Sequence, residues 1–395
     1  MRRLASKFIT TAFVVVTLLS HPVGATEISS EFAVEGQFFS NKEGGIARDS
    51  RLGLSLQPRI THRFKHSDSQ FTLEPFLRWD SEDSNRSHAD IRELNVLTAK
   101  GDWELLVGVG KEFWGVAESN HLVDVINQTD ALEGIDGEDK LGQPMIRLSH
   151  IFEQSTLTAF VLPGFREREF LGPNSRFYLG LSVDKNATQF QSSNGDDHVD
   201  YALRLNGYLG QLDYGLSWFD GTSRQPTIRS NGAGGFAAYY PQMQQVSVEA
   251  QYTSETWLWK LEALNNSQIN ASYNAAVAGF EYSFYGLKEG LLDVGALLEI
   301  HIDSRDDASQ VNLQNDLFLG TRLAFNDAES SELLVGGFLD LDDDSTSFRI
   351  EGARRIWNDA KLSIEAQVFG DIATDNIAYG FKDNDYLKLE LQLFF

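Results

Sequence analysis

The chain has 395 residues, a formal net charge of -24 and no cysteine. That much negative charge argues against a nucleic-acid partner, and the missing cysteines exclude disulfide scaffolds and thiolate metal sites. Aromatic residues make up 12% of the chain while the mean hydropathy is only -0.27, so neither a helical membrane bundle nor a disordered polymer fits.

In chain order, Arg2, Arg3 and Lys7 precede an apolar run from Phe8 to Leu19, and Val23-Gly24-Ala25 follows as a small-residue cleavage site. This is the pattern of a secretory signal peptide over residues 1–25, and its apolar run is too short to span a bilayer. Its removal takes away three basic residues and moves the formal charge from -24 to -27. The mature chain is expected to start near Thr26 and to form one domain over 26–395, because no Pro-rich, Gly/Ser-rich or charge-block linker divides it.

From there, apolar and polar residues alternate with period two in one segment after another. Leu52, Leu54 and Leu56 begin the series. Val246, Val248, Ala250 and Tyr252 oppose Ser247, Glu249 and Gln251, and Leu362, Ile364, Ala366 and Val368 oppose Ser363, Glu365 and Gln367. The spacing predicts strands near 31–40, 49–64, 71–80, 90–99, 103–113, 142–152, 156–165, 199–209, 211–220, 243–253, 256–265, 273–284, 291–302, 314–326, 332–341, 346–357, 361–370 and 384–395. That makes about 18, and a weak segment at Arg176 to Val183 leaves 16 or 20 open.

Short connections such as Gly101-Asp102, Gly210 and Ser254-Glu255 alternate with long ones near 114–141, 166–198 and 221–242. An all-β, closed antiparallel transmembrane barrel has this asymmetry, with short periplasmic turns, long extracellular loops and both termini on the periplasmic side. A soluble sandwich also alternates, but it needs neither an export signal nor the aromatic carboxy-terminus described below. Trp79, Trp103, Trp114, Trp218, Trp257 and Trp357 are expected in interfacial girdles.

With apolar rows facing lipid, the inward face carries candidate channel-lining groups: Arg78, Glu104, Arg147, Lys260, Glu262, Glu299, Arg322 and Arg349. Together with Arg51, Arg59, Arg204 and Lys388 and with Glu74, Glu93, Asp213, Glu249, Glu281, Glu351, Glu365 and Glu390 on the same face the two signs nearly balance, so most are read as cross-strand braces and a minority as a selectivity filter. Arg166 and Arg168, with Arg176, are candidates for a constriction if their loop folds inward. Otherwise they pair with Glu167 and Glu169 beside them. Acidic clusters at Asp130, Glu133, Asp136, Glu138 and Asp139, at Asp303, Asp306 and Asp307, and at Asp340 to Asp344 read as solvated loops, because none has the spacing of a calcium loop. No metal site and no cofactor is expected.

The catalytic reading requires a Ser-His or Asp-His constellation. Ser149 and His150 are strand neighbours and point to opposite faces, while His198 sits among Asp196, Asp197 and Asp200 and His301 stands elsewhere, so no catalytic residue is assigned.

The segments Gly108-Val109-Gly110-Lys111-Glu112-Phe113-Trp114-Gly115, Leu122 through Asp130, Leu162-Pro163-Gly164-Phe165-Arg166 and Gly221 through Pro226 resemble a poorly characterised porin-like family of Gram-negative outer-membrane β-barrels. The last ten residues place Leu387, Leu389, Leu391, Leu393 and Phe395 on one face and Lys388, Glu390 and Gln392 on the other. That ending resembles the strand by which the assembly machinery recognises such barrels, so Leu389, Leu391, Leu393 and Phe395 are the candidate assembly signal. The resemblance implies passive diffusion of small solutes through a channel in the outer membrane of a Gram-negative cell. The expected surroundings are membrane lipid and lipopolysaccharide, with oligomerisation left open. A plugged receptor, adhesin or structural barrel is the alternative, and a barrel hydrolase is a more distant one.

Overall fold

Alternation of side chains across a strand decides the architecture, because a segment that is apolar on one face and charged on the other is stable where lipid meets one side and water the other. The computed structural model describes residues 24–40, 49–178, 180–269, 271–305 and 313–395. The expected signal peptide therefore lies outside the described residues apart from its last two positions, and so do Asp306 and Asp307.

The strands are β1 (Gly24–Phe39), β2 (Ser50–Phe64), β3 (Ser69–Asp80), β4 (Ala89–Lys100), β5 (Trp103–Gly110), β6 (Gln143–Ile151) and β7 (Ser155–Pro163). A short β8 (Gln189–Phe190) follows, then β9 (Val199–Leu209), β10 (Leu212–Thr222), β11 (Thr227–Ser230), β12 (Phe236–Tyr240), β13 (Gln242–Thr253) and β14 (Trp257–Gln268). The series ends with β15 (Tyr273–Gly286), β16 (Leu292–Asp303), β17 (Asn315–Ala324), β18 (Glu332–Asp340), β19 (Thr346–Trp357), β20 (Ala360–Phe369) and β21 (Tyr386–Phe394).

All but β8, β11 and β12 form one 18-stranded sheet. Each barrel strand pairs antiparallel with the next, and β21 pairs with β1 to close the ring. In that seam Leu389 faces Gly36, Leu391 faces Val34 and Leu393 faces Phe32, while Phe395 donates its backbone N–H to the Ser30 carbonyl at 3.0 Å. Closure leaves no unpaired edge, which hydrocarbon would otherwise penalise by several kcal/mol per unsatisfied group.

The outer surface carries an apolar belt. Leu105, Val107, Leu203, Leu216, Val246, Leu261 and Ile350 are all exposed, whereas their neighbours Leu106, Ser247 and Glu262 are buried on the other side. One rim holds both ends of the barrel strand series and turns as short as Gly101-Asp102, and the other holds the long connections. The β2–β3 ladder is interrupted where Pro58 and Pro75 fall opposite each other, since proline has no N–H to donate.

At the long-connection rim the structure differs from the sequence reading. The segment Arg176 to Val183 forms no strand among the described residues beyond a single bridge from Val183 to Phe236. Instead β11, β12 and β8 form a separate three-stranded sheet, and Phe165, Ala238 and Tyr240 make its buried core together with Phe190 and Ile228. Strands of two to five residues are too short for a periodic signal.

Leu203 is 46% exposed in the middle of the belt, so Leu203→Arg is expected to cost about 2–4 kcal/mol in a bilayer. Urea titration of folding into lipid vesicles measures this. Ser363→Arg, on the inward face, should cost much less.

Candidate functional site

The connection between β5 and β6, residues 111–142, turns into the barrel. Gly115 has φ of 134°, a backbone region that side chains disfavour, and a Cβ there would come within 2.9 Å of Glu262 Oε1. Trp114 just before it is not part of an interfacial girdle. It is 1% exposed and packs inside the barrel, edge-on to Phe160 and beneath the Arg204 guanidinium.

The loop rests on an apolar bed. Val123, Val125 and Ile126 cluster with Leu106, Met145, Phe160, Leu162, Phe219 and Met243, which project inward from β5, β6, β7, β10 and β13. This sector of the inner wall is therefore apolar, and the loop shields it from water. Asn127 stitches the two ends of the loop together. Its Nδ2 donates to the carbonyls of Gly110 at 3.0 Å and Leu141 at 2.8 Å, and its Oδ1 accepts from the Glu112 N–H at 2.9 Å.

A loop inside a barrel has no ladder to satisfy its backbone. Here two carboxylates from the facing wall do so. Glu262 on β14 accepts from the N–H groups of Val116 at 2.6 Å, Ala117 at 2.8 Å and Val123 at 3.2 Å. Glu299 on β16 accepts from Glu118 at 2.8 Å and Ser119 at 2.9 Å, and also from the Ser119 hydroxyl. Such bonds to charged acceptors are the stronger kind.

The other candidate lining residues mostly hold this loop as well. Lys260 and Arg322 flank Glu118 at 3.3 and 2.6 Å, and Arg322 also reaches Glu281 at 3.5 Å. Burial raises the Glu118 carboxyl, but the two cations outweigh it and hold it below the usual range. Arg349 pairs with Asp136 at 2.6 Å and with Glu351 beside it. Arg147 pairs with Glu112 at 2.5 Å, Arg78 is locked between Glu35 at 3.2 Å and Glu133 at 2.6 Å, and Glu104 stands opposite Ser149 far from the loop.

Asp130 and Glu133 are thus not solvated, which corrects the sequence reading at those two positions, whereas Glu138, Asp139, Asp342 and Asp344 are exposed as expected. Asp130 is 1% exposed and pairs with Arg92 at 2.6 Å, Glu133 pairs with Arg78, and Glu138 lies 3.3 Å from His121. Nor do Arg166, Arg168 and Arg176 pair with Glu167 and Glu169, which instead bond Thr188 and Lys185. Arg166 reaches Asp90 at 2.7 Å, Arg168 donates to Gln128 at 3.3 Å and lines the interior, and Arg176 binds Asn384 at 3.1 Å over the Phe39 ring. Glu118, Ser119 and Asp136 carry no distinguishing local pattern. The signal for an ordered loop was the apolar run Leu122 to Ile126, unusual in a segment otherwise so polar.

Besides a space of about 280 Å³ beside Gln57, Phe76 and Arg92, the loop leaves two that share lining residues. An outer cavity of about 700 Å³ lies toward the long connections, and an inner one of about 280 Å³ lies toward the short turns. Glu118, Leu334 and Glu351 line both, so the two cavities adjoin at the level of Glu118 and Glu351. Eight acidic and five basic side chains line the outer cavity, and five acidic and three basic line the inner one.

Two of the histidines weighed for catalysis, His301 and His198, meet a hydroxyl or a carboxylate. Ser119 Oγ is 2.8 Å from His301 Nε2, but the hydroxyl also bonds Glu299, and His301 Nδ1 lacks the orienting acceptor that an acyl-transfer triad uses. His198 Nδ1 meets Asp200 at 2.9 Å, and Asp200 also holds Arg224 at 2.6 Å. Ser149 bonds Thr158 at 3.1 Å inside, and His150 packs on Trp103 outside.

No protein-family profile and no curated sequence matches the chain. Among solved structures it is similar to OpdQ of Pseudomonas aeruginosa, with 10% identity, a TM-score of 0.55 and coverage of 94% of this chain and 98% of that one. It is also similar to a triple mutant of the Rhodopseudomonas blastica porin, with 14% identity, a TM-score of 0.45 and coverage of 94% and 100%. The likeness to OpdQ is one of fold, and with the closed 18-stranded ring it gives the barrel architecture that the sequence resemblance implies.

Glu262→Gln weakens three charge-assisted bonds, so it is expected to loosen the loop by about 2–4 kcal/mol while leaving the barrel intact. Faster limited proteolysis within 111–142 at unchanged sheet content would show it. Burial raises the Asp136 carboxyl, but Arg349 reverses the effect and lowers it. The tether's contribution is therefore present above about pH 4, the unfolded carboxyl range, and is lost as pH falls through the lowered folded value. Loop protection measured from pH 6 to 2.5 should fall at the acid end, and Asp136→Asn should remove that step.

Proposed function

We propose that the protein is an outer-membrane channel through which small solutes diffuse passively, with a narrow level formed by Glu118 and Glu351. The observation that carries this reading is the inward loop with a cavity on either side, the two cavities sharing those residues. A barrel whose interior is filled throughout would have no such pair of vestibules. The porin-like fold and the apolar outer belt support placement in the outer membrane of a Gram-negative cell, in contact with lipid and lipopolysaccharide. The closing strand with Leu389, Leu391, Leu393 and Phe395 is read as the segment that the assembly machinery engages. No cofactor or energy source enters, because diffusion needs neither, and no residue is given a catalytic role.

Charge sets what passes. Both cavities are lined by more acidic than basic side chains, so cations are enriched and anions depleted before the narrow level is reached, an effect screened over about 8 Å at physiological salt. At the narrow level Glu118 sits between Lys260 and Arg322 while Glu351 faces Arg349. Positive and negative groups thus stand side by side, which orients polar and zwitterionic solutes and excludes apolar ones. The substrate class that fits is small, hydrophilic and neutral or cationic.

Planar-bilayer recording across a salt gradient is expected to show discrete conductance with a reversal potential on the cation side, shifted toward zero by Glu118→Gln. Liposomes containing the protein should swell in small sugars. Absence of both conductance and swelling would establish the plugged alternative.

A further inference from the structure

Three hydrogen-bond acceptors converge where the loop meets the wall. His88, between the turn at Ser84–Arg86 and β4, has Nδ1 3.0 Å from the Arg86 carbonyl. A carbonyl only accepts, so Nδ1 carries the ring proton and Nε2 of the neutral ring presents a lone pair. That lone pair faces Glu133 Oε1 at 3.6 Å and Asp130 Oδ2 at 3.9 Å, both too long for hydrogen bonds. His88 Nε2 and Glu133 Oε1 are buried and have no hydrogen-bond partner. The Glu133 side chain is 6% exposed and that of Asp130 0%. Asp130 Oδ2 already accepts from Arg92 at 2.6 Å, but the buried lone pairs of His88 Nε2 and Glu133 Oε1 face each other with no donor, which is costly, and a cation relieves them.

We propose that His88 Nε2, Asp130 Oδ2 and Glu133 Oε1 bind a divalent metal ion of the zinc class, which fastens the inward loop to the wall. The three atoms lie within 4.8 Å of one another. Zinc bonds of about 2.0–2.2 Å put tetrahedral ligands about 3.3 Å apart, so small side-chain shifts close the site, with water as the fourth ligand. One imidazole nitrogen and two carboxylates suit zinc, whereas calcium takes six to eight oxygens. The outer partners are in place. The Arg86 carbonyl fixes the imidazole tautomer, Arg78 holds the other oxygen of Glu133 at 2.6 Å, and Arg92 holds Asp130 Oδ2 itself at 2.6 Å, leaving that oxygen one lone pair for the ion. These arginines let the cluster fold without metal, so the ion is a reversible ligand. His88 belongs to the wall and the two carboxylates to the loop, so the bound ion is a cross-link between them. The site does not depend on whether the pore conducts.

The test is zinc chloride titration of the untagged, chelator-stripped full chain in detergent micelles, followed by calorimetry and thermal unfolding. One zinc per chain and a raised Tm are expected, with calcium at the same concentration giving neither. His88→Ala should weaken binding by about tenfold or more. Glu133→Gln keeps the side-chain size and serves if the alanine variant misfolds, and it should also lose binding while retaining the barrel's far-ultraviolet spectrum. His150→Ala, on the outer face, should bind as the parent does. No stoichiometric zinc, equal binding in the His88 and Glu133 variants, or an equal response to calcium would overturn the proposal.

Discussion

The interior of this barrel is organised by the need of an irregular backbone to find acceptors away from any sheet edge. Residues 111–142 enter a space walled by strands whose own N–H and C=O groups are already paired. Glu262 and Glu299 resolve the conflict by taking five backbone N–H groups of the loop between them. Neutral side chains would accept more weakly, and water alone would leave the loop's position undefined. Once those bonds form, the position of Glu118, and with it the level at which the two cavities adjoin, follows.

The apolar bed and the ion pairs act in the same direction by different physics. Val123, Val125 and Ile126 gain burial wherever they meet apolar surface, so they decide that the loop lies on the wall but not where. Direction comes from charge. Arg349 on β19 holds Asp136, Arg78 on β3 holds Glu133, and Arg92 on β4 holds Asp130. These contacts fix the loop at the neighbouring strands β3 and β4 and, elsewhere on the ring, at β19. The inward charges are thus mainly structural.

This division also explains why the chain carries so negative a charge without repelling itself apart. Acidic residues of the loop sit opposite basic residues of the wall, and the surplus is spread over cavity linings and rims where water screens it. The lid sheet of β8, β11 and β12 extends the same scheme outward, with Tyr240 accepting the Arg168 N–H at 2.8 Å and Arg224 donating to the Ile126 carbonyl at 2.9 Å. The outer connections and the inward loop are thus one connected body.

Period-two alternation is a local property, so the strands, their number and the lipid-facing rows were readable from residues such as Leu362 to Val368 and Leu387 to Phe395 without any structure. So was the difference between short and long connections. What the chain's order could not reveal is which distant groups meet. Glu262 lies 145 residues from Ala117, and Arg349 lies 213 from Asp136. Alternation says that each faces inward but is silent about partners across the lumen. Only closure of the ring brings the far wall within hydrogen-bond reach of the loop, turning side chains that read as solvent-facing into the contacts that fix the loop inside the barrel.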